Sequence, residues 1–415
     1  MKFEQYYLSA EIKKNLRQLG FVRPTDIQFK AIPSILNDED VLAIAQTGTG
    51  KTAAFAIPVV DKIQRYKTSK RSYGIKCIVL VPTRELAVQI GEVFKKIAAH
   101  TKVMVFTLHG GVEQDTQIAK LQDGIDVLIA TPGRMFDLIN QQVLKLDKIN
   151  TLVLDEADHM LDLGFIEDIK YIKKMLRQRH QTLFFSATLN DEIKKLAYSQ
   201  VNSEAIRIQV SPKDRISKNV RHFVMFVEMD DKRFFLDRFL KDHPDDKVIV
   251  FVRTKVRAER VAKAMERAGV AAMNIHGDKD QGQRAEAMQA FRDGACRVLI
   301  ATDVSARGID VPDVEYVINY DLPEKVENYV HRVGRTGRGE KKGEAYSFCS
   351  SEEKELLEAI EDFITKPIEE MKVSKKGYAE IVRTPDTAEL DLKALVAEHD
   401  AWMSGKKSKK KRKKK

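Results

Sequence analysis

A run of residues at positions 45–52, AQTGTGKT, has the composition of a phosphate-binding loop. It follows the apolar run 41–45, which favours a buried strand, and precedes a stretch that favours a helix. Glycines let backbone N–H groups face phosphate oxygens, and the helix N-terminus adds a favourable dipole. Lys51 supplies a positive charge to the phosphates, and the Thr52 hydroxyl can bind Mg²⁺. The residues predicted to bind the nucleotide here are Gln46, Thr47, Gly48, Thr49, Gly50, Lys51 and Thr52.

Two adjacent carboxylates, Asp155 and Glu156, follow the apolar run 152–154. An aspartate at a strand end commonly holds the metal together with the threonine of a phosphate loop, so Asp155 is predicted to bind Mg²⁺. A neighbouring glutamate can orient or deprotonate the attacking water, which predicts that role for Glu156. Taken alone, the pair would more simply be an exposed acidic turn. The phosphate loop upstream favours the catalytic interpretation.

Two arginines three residues apart, Arg335 and Arg338, lie in the segment HRVGRTGR. They are suited to neutralise charge on the γ-phosphate across a cleft between two domains. A generic basic RNA-binding or solvated loop would have the same composition. The residues of this segment by themselves leave both interpretations open.

An aromatic residue and a glutamine, Phe21 and Gln28, precede the phosphate loop. A glutamine amide can hydrogen-bond both N6 and N7 of adenine, and a phenylalanine ring offers a surface for a base. Without the loop nearby, a core phenylalanine and a surface glutamine would be the simpler explanation.

Short apolar runs alternate with helical stretches along the chain, which predicts parallel sheets covered by helices. Such runs occupy 77–81, 103–108, 127–130, 152–154 and 183–185, and the pattern restarts after a polar stretch at 222–227, 248–252, 271–275, 298–301, 317–319 and 345–349. Ligands bind outside the carboxyl ends of parallel strands, where polar clusters follow five successive runs of the first half. The second half has no second GKT and cannot form a phosphate cradle of its own.

Composition limits the remaining possibilities. The 415 residues are long enough for two domains, and 43% of them are hydrophobic and 32% charged. No run of 18 apolar residues and no signal peptide is visible, so we expect a cytoplasmic protein with no membrane contact. Of the net charge of +10, nine positive charges lie in 406–415, which leaves +1 for the rest. Any nucleic-acid groove in the body of the protein must therefore be local.

Taken together, these motifs resemble the DEAD-box ATP-dependent RNA helicases over roughly residues 1–370. The resemblance implies an α/β fold of two tandem RecA-like parallel-sheet domains, as in P-loop NTPases of helicase superfamily 2. The domain limits predicted in this way are 1–207 for the ATP-binding domain, 208–218 for a linker, 219–370 for the C-terminal helicase domain, 371–404 for an extension and 405–415 for a disordered Lys-rich tail.

The resemblance also implies roles for individual positions. Phe21 and Gln28 correspond to the adenine-reading motif, with Phe3 as its upstream aromatic residue, and Asp310 corresponds to a ribose contact. Arg335 and Arg338 correspond to arginine fingers. The residues implied to couple hydrolysis to RNA are Asp158, Ser186, Thr188 and His331. The residues implied to contact RNA are Pro82, Thr83, Arg84, Gly111, Thr131, Gly133, Arg134, Arg253, Gln281, Arg284, Thr302 and Asp303.

The resulting expectation is an enzyme that uses ATP and Mg²⁺ and hydrolyses ATP when its domains close on RNA. It is expected to open short duplexes locally, largely independently of sequence, and to remodel ribonucleoproteins. The alternative is an ATP-gated RNA clamp with little strand separation. A DNA translocase is disfavoured because contacts to 2′-hydroxyls discriminate against DNA. Ribosome assembly and RNA decay remain equally open, and we expect a monomer. The Lys-rich tail is predicted to anchor RNA, with a merely solubilising role as the alternative.

Overall fold

The computed structural model of the protein describes residues 2–46, 48–70, 72, 74–176, 178–210, 219–306, 314–337 and 341–382. Within these ranges the chain forms two seven-stranded sheets, one in each half. The strand pairs in both sheets are parallel. The predicted fold class is therefore confirmed. No helix in the described ranges is long and apolar enough to cross a bilayer.

The first half contains one sheet and its covering helices. Its strands are β1 (Val41–Ala45), β2 (Cys77–Leu80), β3 (Val105–Leu108), β4 (Val127–Ala130), β5 (Thr151–Leu154), β6 (Gln181–Ser186) and β7 (Ile206–Val210). Its helices are α1 (Ala10–Gln18), α2 (Asp26–Leu36), α3 (Lys51–Tyr66), α4 (Arg84–Ala98), α5 (Gln114–Gln122), α6 (Pro132–Asn140), α7 (Ala157–Asp162), α8 (Ile166–Met175) and α9 (Asp191–Gln200). A short 3-10 helix over Phe3–Gln5 precedes α1.

The second half repeats this architecture. Its strands are β8 (Val220–Phe226), β9 (Val248–Phe251), β10 (Met273–Ile275), β11 (Val298–Ala301), β12 (Tyr316–Asn319), β13 (Gly343–Cys349) and β14 (Glu369–Glu370). Its helices are α10 (Lys232–Asp242), α11 (Lys255–Arg267), α12 (Gln281–Asp293), α13 (Asp303–Ala306), α14 (Val326–Val333), α15 (Lys354–Ile364) and α16 (Lys375–Val382). A 3-10 helix over Ser351–Glu353 precedes α15.

The two sheets share one topology. The first has the order β3-β4-β2-β5-β6-β1-β7, and the second has the order β10-β11-β9-β12-β13-β8-β14. Adding seven to each strand number of the first order gives the second, so β8 occupies the place of β1. Parallel strands end together, and both sheets therefore present a carboxyl edge on which loops from several strands meet.

Continuous apolar sequence explains the central strands. β1, β2, β4 and β5 are buried along their whole length, as expected for a sheet covered by helices on both faces. The covering helices form two apolar clusters on the first sheet and two on the second. Helix starts are fixed locally, since Thr83 accepts a hydrogen bond from the backbone N–H of Leu86 at the start of α4.

Three elements were not predicted from the sequence. The edge strand β7 pairs with β1. Its last three residues, 208–210, lie within the range assigned to the linker. Its residues alternate between exposed positions and buried or partly buried ones, so it lacks the continuous apolar run of a central strand. β14 has only two residues, and α16 lies in the range assigned to the C-terminal extension. Residues 211–218 and 383–415 lie outside the described ranges, and the domain limits stay a prediction.

A buried lysine opens α10 in the way that Lys51 opens α3, but its partners are protein groups. Nζ of Lys232 donates to the carbonyl oxygen of Tyr320 at 2.8 Å and to the Glu353 carboxylate. Glu353 also accepts from the backbone N–H of Leu322 at 3.2 Å. Burial raises the pKa of Glu353, but the charge of Lys232 together with hydrogen bonds from Lys232 and from the backbone of Ser350 and Leu322 lowers it, and the net shift is downward. This ion pair joins three loops at the carboxyl edge of the second sheet.

We expect Lys232→Met to lower the free energy of unfolding by about 3 kcal/mol, because it removes the fully buried partner of Glu353 and leaves that carboxylate with the more exposed Arg253. Urea denaturation monitored by circular dichroism measures this. The double variant Lys232→Met/Glu353→Gln removes both charges and should recover part of the loss. A single variant as stable as the parent protein would contradict the assigned pairing.

Candidate active site

The predicted phosphate loop lies at the carboxyl end of β1 and leads into α3. Gly48 and Gly50 have left-handed backbone conformations, with φ of 81° and 92°, which side chains disfavour. A Cβ on Gly50 would also lie 2.5 Å from Nε2 of Gln28. Nζ of Lys51 donates a hydrogen bond to the carbonyl oxygen of Ala45 at 2.7 Å. The lysine is thus held against the loop at the helix N-terminus, where the dipole also favours a phosphate.

The residues predicted to read adenine lie beside this loop. Gln28 is buried, its Nε2 donates to the carbonyl oxygen of Gly50 at 3.1 Å, and its Oε1 accepts from the backbone N–H of Thr25 at 3.0 Å. A glutamine amide has a second hydrogen and a second lone pair, so it can still bind a base. The ring of Phe21 meets the ring of buried Phe3 edge-on, with centroids 5.7 Å apart. Phe3 therefore supports the ring on which a base is predicted to stack.

The two predicted catalytic carboxylates follow β5. Asp155 is buried, and its Oδ1 accepts a hydrogen bond from the backbone N–H of Glu156 at 3.0 Å. Glu156 has φ of 51° and ψ of 48°, a left-handed conformation that residues other than glycine seldom adopt. Such backbone conformations cluster at functional sites, because the surrounding structure must compensate for the strain.

Burial raises the pKa of Asp155 to about 7, although the positive charge of Lys51 lowers it. The charge of neighbouring Glu156 raises it further. A cation beside Asp155 would restore the ionised form. The described residues contain no cluster of three or more His, Cys, Asp or Glu side chains that would hold a metal by itself. A site with one carboxylate and the Thr52 hydroxyl fits Mg²⁺, which takes few protein ligands and binds substrate phosphates.

Glu156 is shifted in the opposite direction. Burial raises its pKa, but the adjacent imidazole of His159, followed by the charges of Lys51 and Arg335, lowers it to about 2. Nδ1 of His159 lies 3.5 Å from Oε2 of Glu156. Opposite shifts of adjacent carboxylates commonly accompany different catalytic roles. An ionised Glu156 suits the orientation of an attacking water.

The two halves of the chain meet at a cavity of about 280 Å³. Among its lining residues are Glu156, Asp158 and Thr188 from the first half and Lys325, His331 and Arg335 from the second. Arg335 is buried, and its Nε donates to the carbonyl oxygen of His331 at 3.1 Å. The structure therefore brings a predicted arginine finger beside a predicted catalytic carboxylate of the other half.

Three of the four residues predicted to couple hydrolysis to RNA line the same cavity, namely Asp158, Thr188 and His331. Oδ2 of Asp158 accepts hydrogen bonds from the backbone N–H and the hydroxyl of Thr188, both at 3.1 Å. Ser186 ends β6 and is fully buried. These contacts tie α7 to the loop after β6, so a movement of one is transmitted to the other.

The predicted RNA-binding residues of the first half lie at the carboxyl ends of β2, β3 and β4. Thr83 caps α4, and Thr131 is the N-cap of α6, so both mark helix N-termini, which suit phosphates. Nη1 of Arg134 donates to Oε1 of Gln117 at 2.7 Å. Pro82, Arg84, Gly111 and Gly133 belong to the same loops and helix starts.

In the second half, three predicted RNA-binding residues already bond to groups of the same domain. Arg253 forms an ion pair with Glu353 at 2.9 Å. Asp303 receives a hydrogen bond from Nη2 of buried Arg332 at 2.8 Å. The hydroxyl of Thr302 donates to that of Ser305 at 3.3 Å.

A fourth predicted RNA-binding residue, Arg284, pairs across the cleft, and a second ion pair accompanies it. Nη2 of Arg284 lies 2.8 Å from Oε1 of Glu85. Nζ of Lys325 lies 2.6 Å from Oδ1 of Asp162. Sequence reasoning missed Glu85, Asp162 and Lys325 as functional residues. For Glu85, its position in the polar cluster after β2 was a signal of function. Asp162 and Lys325 had no signal, because ion pairs between distant segments leave no periodic pattern in the sequence.

Several predicted residues lie outside the described part of the chain. They are Thr47, Asp310, Arg338 and the side chain of Gln281. Their assignments stay predictions.

Comparisons with known proteins agree with this geometry. Residues 25–196 match the DEAD/DEAH box helicase family, and residues 231–340 match the helicase conserved C-terminal domain family. The chain is 41% identical over 370 residues to the DEAD-box ATP-dependent RNA helicase CshA of Bacillus subtilis, and the match covers 89% of this chain and 74% of the relative. CshA of Geobacillus kaustophilus is also 41% identical over 370 residues, with 89% and 78% covered.

Solved structures show the same arrangement. The chain is similar to Dbp5 of S. cerevisiae bound to RNA and ADP BeF3, with a TM-score of 0.81, 31% identity, and 92% of this chain and 98% of that one covered. It is also similar to the DEAD-box helicase Mss116 bound to ssRNA and UDP-BeF, with a TM-score of 0.80, 28% identity, and 95% and 84% covered.

The ion pair between Lys325 and Asp162 gives a testable prediction. We expect Lys325→Glu to oppose closure by like-charge repulsion, lowering the population of the closed form by about two- to fivefold, as for a partly exposed pair. Energy transfer between one fluorophore in each half, with RNA and a non-hydrolysable ATP analogue present, measures that population.

The reciprocal variant Lys325→Asp/Asp162→Lys should restore closure. Lys194→Glu is a matched control, because Lys194 pairs with Asp191 of its own helix. Failure of the reciprocal variant to recover closure would show that the pair does not act across the cleft.

Proposed function

This chain belongs to the DEAD-box family of ATP-dependent RNA helicases, and we propose that its ATP hydrolysis waits until both domains close on one RNA strand. The observation that carries the proposal is the position of Arg335 at the cavity that also contains Glu156. Each domain supplies part of the hydrolytic site, so neither is complete alone.

The steps follow from the residues of this chain. The phosphate loop binds the triphosphate, with Lys51 neutralising charge, while Gln28 and Phe21 bind the base. Thr52 and Asp155 would hold Mg²⁺, which would neutralise charge on the phosphates. Ionised Glu156 orients the attacking water, and Arg335 stabilises negative charge in the transition state.

RNA enters the mechanism through the loops at the same carboxyl edges. The proposed contacts in the first domain lie at helix N-termini, which bind phosphates rather than base edges. Recognition is then largely independent of sequence, and a cleft that fits one strand excludes its partner. The pair between Arg284 and Glu85 supports a closure that also joins the two RNA-facing edges. Strand separation is therefore local and follows closure.

The finer assignments belong to the same proposal. We propose Mg²⁺ as the metal, the cytoplasm as the compartment, a monomer as the active form, and ribosomal precursors or RNA-decay proteins as partners. Family membership favours the helicase over the clamp without strand separation. The domain limits are part of the same proposal. So is the RNA-anchoring role of residues 406–415, a segment outside the described ranges.

Two assays on the purified protein test the function. Phosphate release from ATP should be stimulated by RNA, and a short labelled duplex should separate only with ATP present. We expect Glu156→Gln to lower the hydrolysis rate by about 10²–10⁴-fold, because a neutral amide no longer orients the attacking water as the ionised carboxylate does. Binding of a fluorescent ATP analogue should persist.

Glu167→Gln, at an exposed position of α8 in the same domain, is the control and should leave both activities unchanged. RNA retention by the parent protein without duplex separation would favour the clamp instead. RNA-independent hydrolysis would contradict the proposed dependence on closure.

The arginine contributed by the second domain gives a separate prediction. We expect Arg335→Ala to lower the RNA-stimulated rate by about 10³-fold or more, since an arginine finger acts mainly on the transition state. The affinity for ATP without RNA should hardly change. Arg335→Lys should recover only part of the rate, because a lysine cannot donate two parallel hydrogen bonds. Normal turnover of Arg335→Ala would refute shared catalysis.

A further inference from the structure

A large groove lies at the opposite edge of the first sheet from the active site. It has a volume of about 830 Å³. Asp40 and Lys76 line it directly before β1 and β2, and Thr151 and Gln181 line it as the first residues of β5 and β6. We call it the amino-edge groove. Strands of four to six residues separate it from the catalytic loops, a distance of roughly 13–20 Å.

The acidic residues of the amino-edge groove are already engaged. Asp38 pairs with Lys62, and Asp126 pairs with Lys67. Asp40 accepts hydrogen bonds from the backbone N–H groups of two residues, both at 2.8 Å. These carboxylates therefore neutralise Lys62 and Lys67 but offer little to a third cation.

Two further cations of the groove have no such partner among the described residues. Lys76 and Arg179 both line the groove, and neither forms an ion pair in the described ranges. His180 lines the same side. The dipole at the C-terminus of α3 accounts for basic residues such as Arg65 and Lys67 near its end. It does not account for Lys76, which precedes a strand, or for Arg179, which lies in a loop.

An exposed aromatic ring stands beside these charges. Tyr66 is the last residue of α3, lines the groove and is 87% exposed. The surrounding sequence, 62–76, contains six lysines and arginines, two tyrosines and no acidic residue. Basic residues interleaved with aromatic residues are typical of surfaces that bind single-stranded nucleic acid, through phosphates and stacked bases.

We propose that the amino-edge groove is a second RNA-binding surface, which holds single-stranded RNA beyond the segment gripped in the catalytic cleft. Lys76 and Arg179 would bind phosphates, and a base would stack on Tyr66. The inference rests on the proposed action on RNA. Helices cover both faces of the sheet between the groove and the cleft, so a short strand held in the cleft has too little free length to pass around them to the groove. Only long RNA gains affinity from the groove.

The test compares two unstructured RNAs of about 10 and about 40 nucleotides, binding to the full chain over a range of salt concentrations. In Lys76→Gln/Arg179→Gln we expect about tenfold weaker binding of the long RNA. The slope of the logarithm of the binding constant against the logarithm of the salt concentration should become less negative by about 1.4, because each lost phosphate contact to a single strand contributes about 0.7. Binding of the short RNA should not change.

Tyr66→Ala tests the ring separately. We expect about fivefold or greater weakening for the long RNA, with an unchanged salt slope, because stacking releases no counterions. Loss of long-RNA binding with the charge variant but none with Tyr66→Ala would overturn the stacking of a base on Tyr66, because the cations alone would then account for the binding.

Arg260→Gln/Lys366→Gln is the control, since both residues are exposed on the second domain and the charge change is the same. An equal loss of long-RNA affinity in this control would show that the effect comes from net charge alone, and it would refute RNA binding in the groove. Phosphate release at saturating short RNA monitors the proposed function independently. If it persists while long-RNA binding is unaffected in the groove variants, the groove is refuted and the helicase assignment stands.

Discussion

Buried charge in the cleft is the constraint on which the catalytic arrangement depends. Asp155 and Glu156 are adjacent carboxylates at the end of a strand in the sheet interior, and each would be costly without positive charge nearby. Lys51 of the phosphate loop and Arg335 of the second domain both lower the pKa of Glu156. Asp155 keeps a raised pKa because burial outweighs the charge of Lys51, and a metal ion would supply the missing positive charge. Positive charge from three sources, namely the loop, the metal and the other domain, balances these acids in the proposed mechanism.

The two domains have the same topology but contribute different parts of the proposed hydrolytic site. Both sheets have the same strand order, and β8 stands where β1 stands. Lys51 and Lys232 both open the helix that follows these strands. Lys51 faces a glycine-rich loop, whereas Lys232 is closed off by Glu353 and a backbone carbonyl. The second domain thus repeats the architecture of the first, and in the proposed mechanism it serves the site of the first through Arg335.

Surface charge is organised locally on a nearly neutral body. Helix N-termini dominate the carboxyl edge of the first sheet, where one strand of RNA is proposed to lie. At the opposite edge, the dipole of α3 favours the cations at its own C-terminus, but Lys76 and Arg179 lie outside that helix. Their positive charge is therefore available to a ligand in the amino-edge groove. A helicase with RNA contacts on two edges would hold its substrate between cycles of opening and closing.

The sequence by itself determined the chemistry and the fold class. The phosphate loop, the acidic pair and the runs of buried strands are local patterns, and each is set by residues close together in the chain. Tertiary structure alone decided which groups meet across the chain, such as Arg335 with the cavity of Glu156, Arg284 with Glu85, and Asp303 with Arg332. It also decided that 206–210 forms an edge strand, because exposed residues interrupt the apolar run by which the central strands were predicted. Contacts between distant residues depend on how the two sheets pack, and no spacing along the chain encodes that.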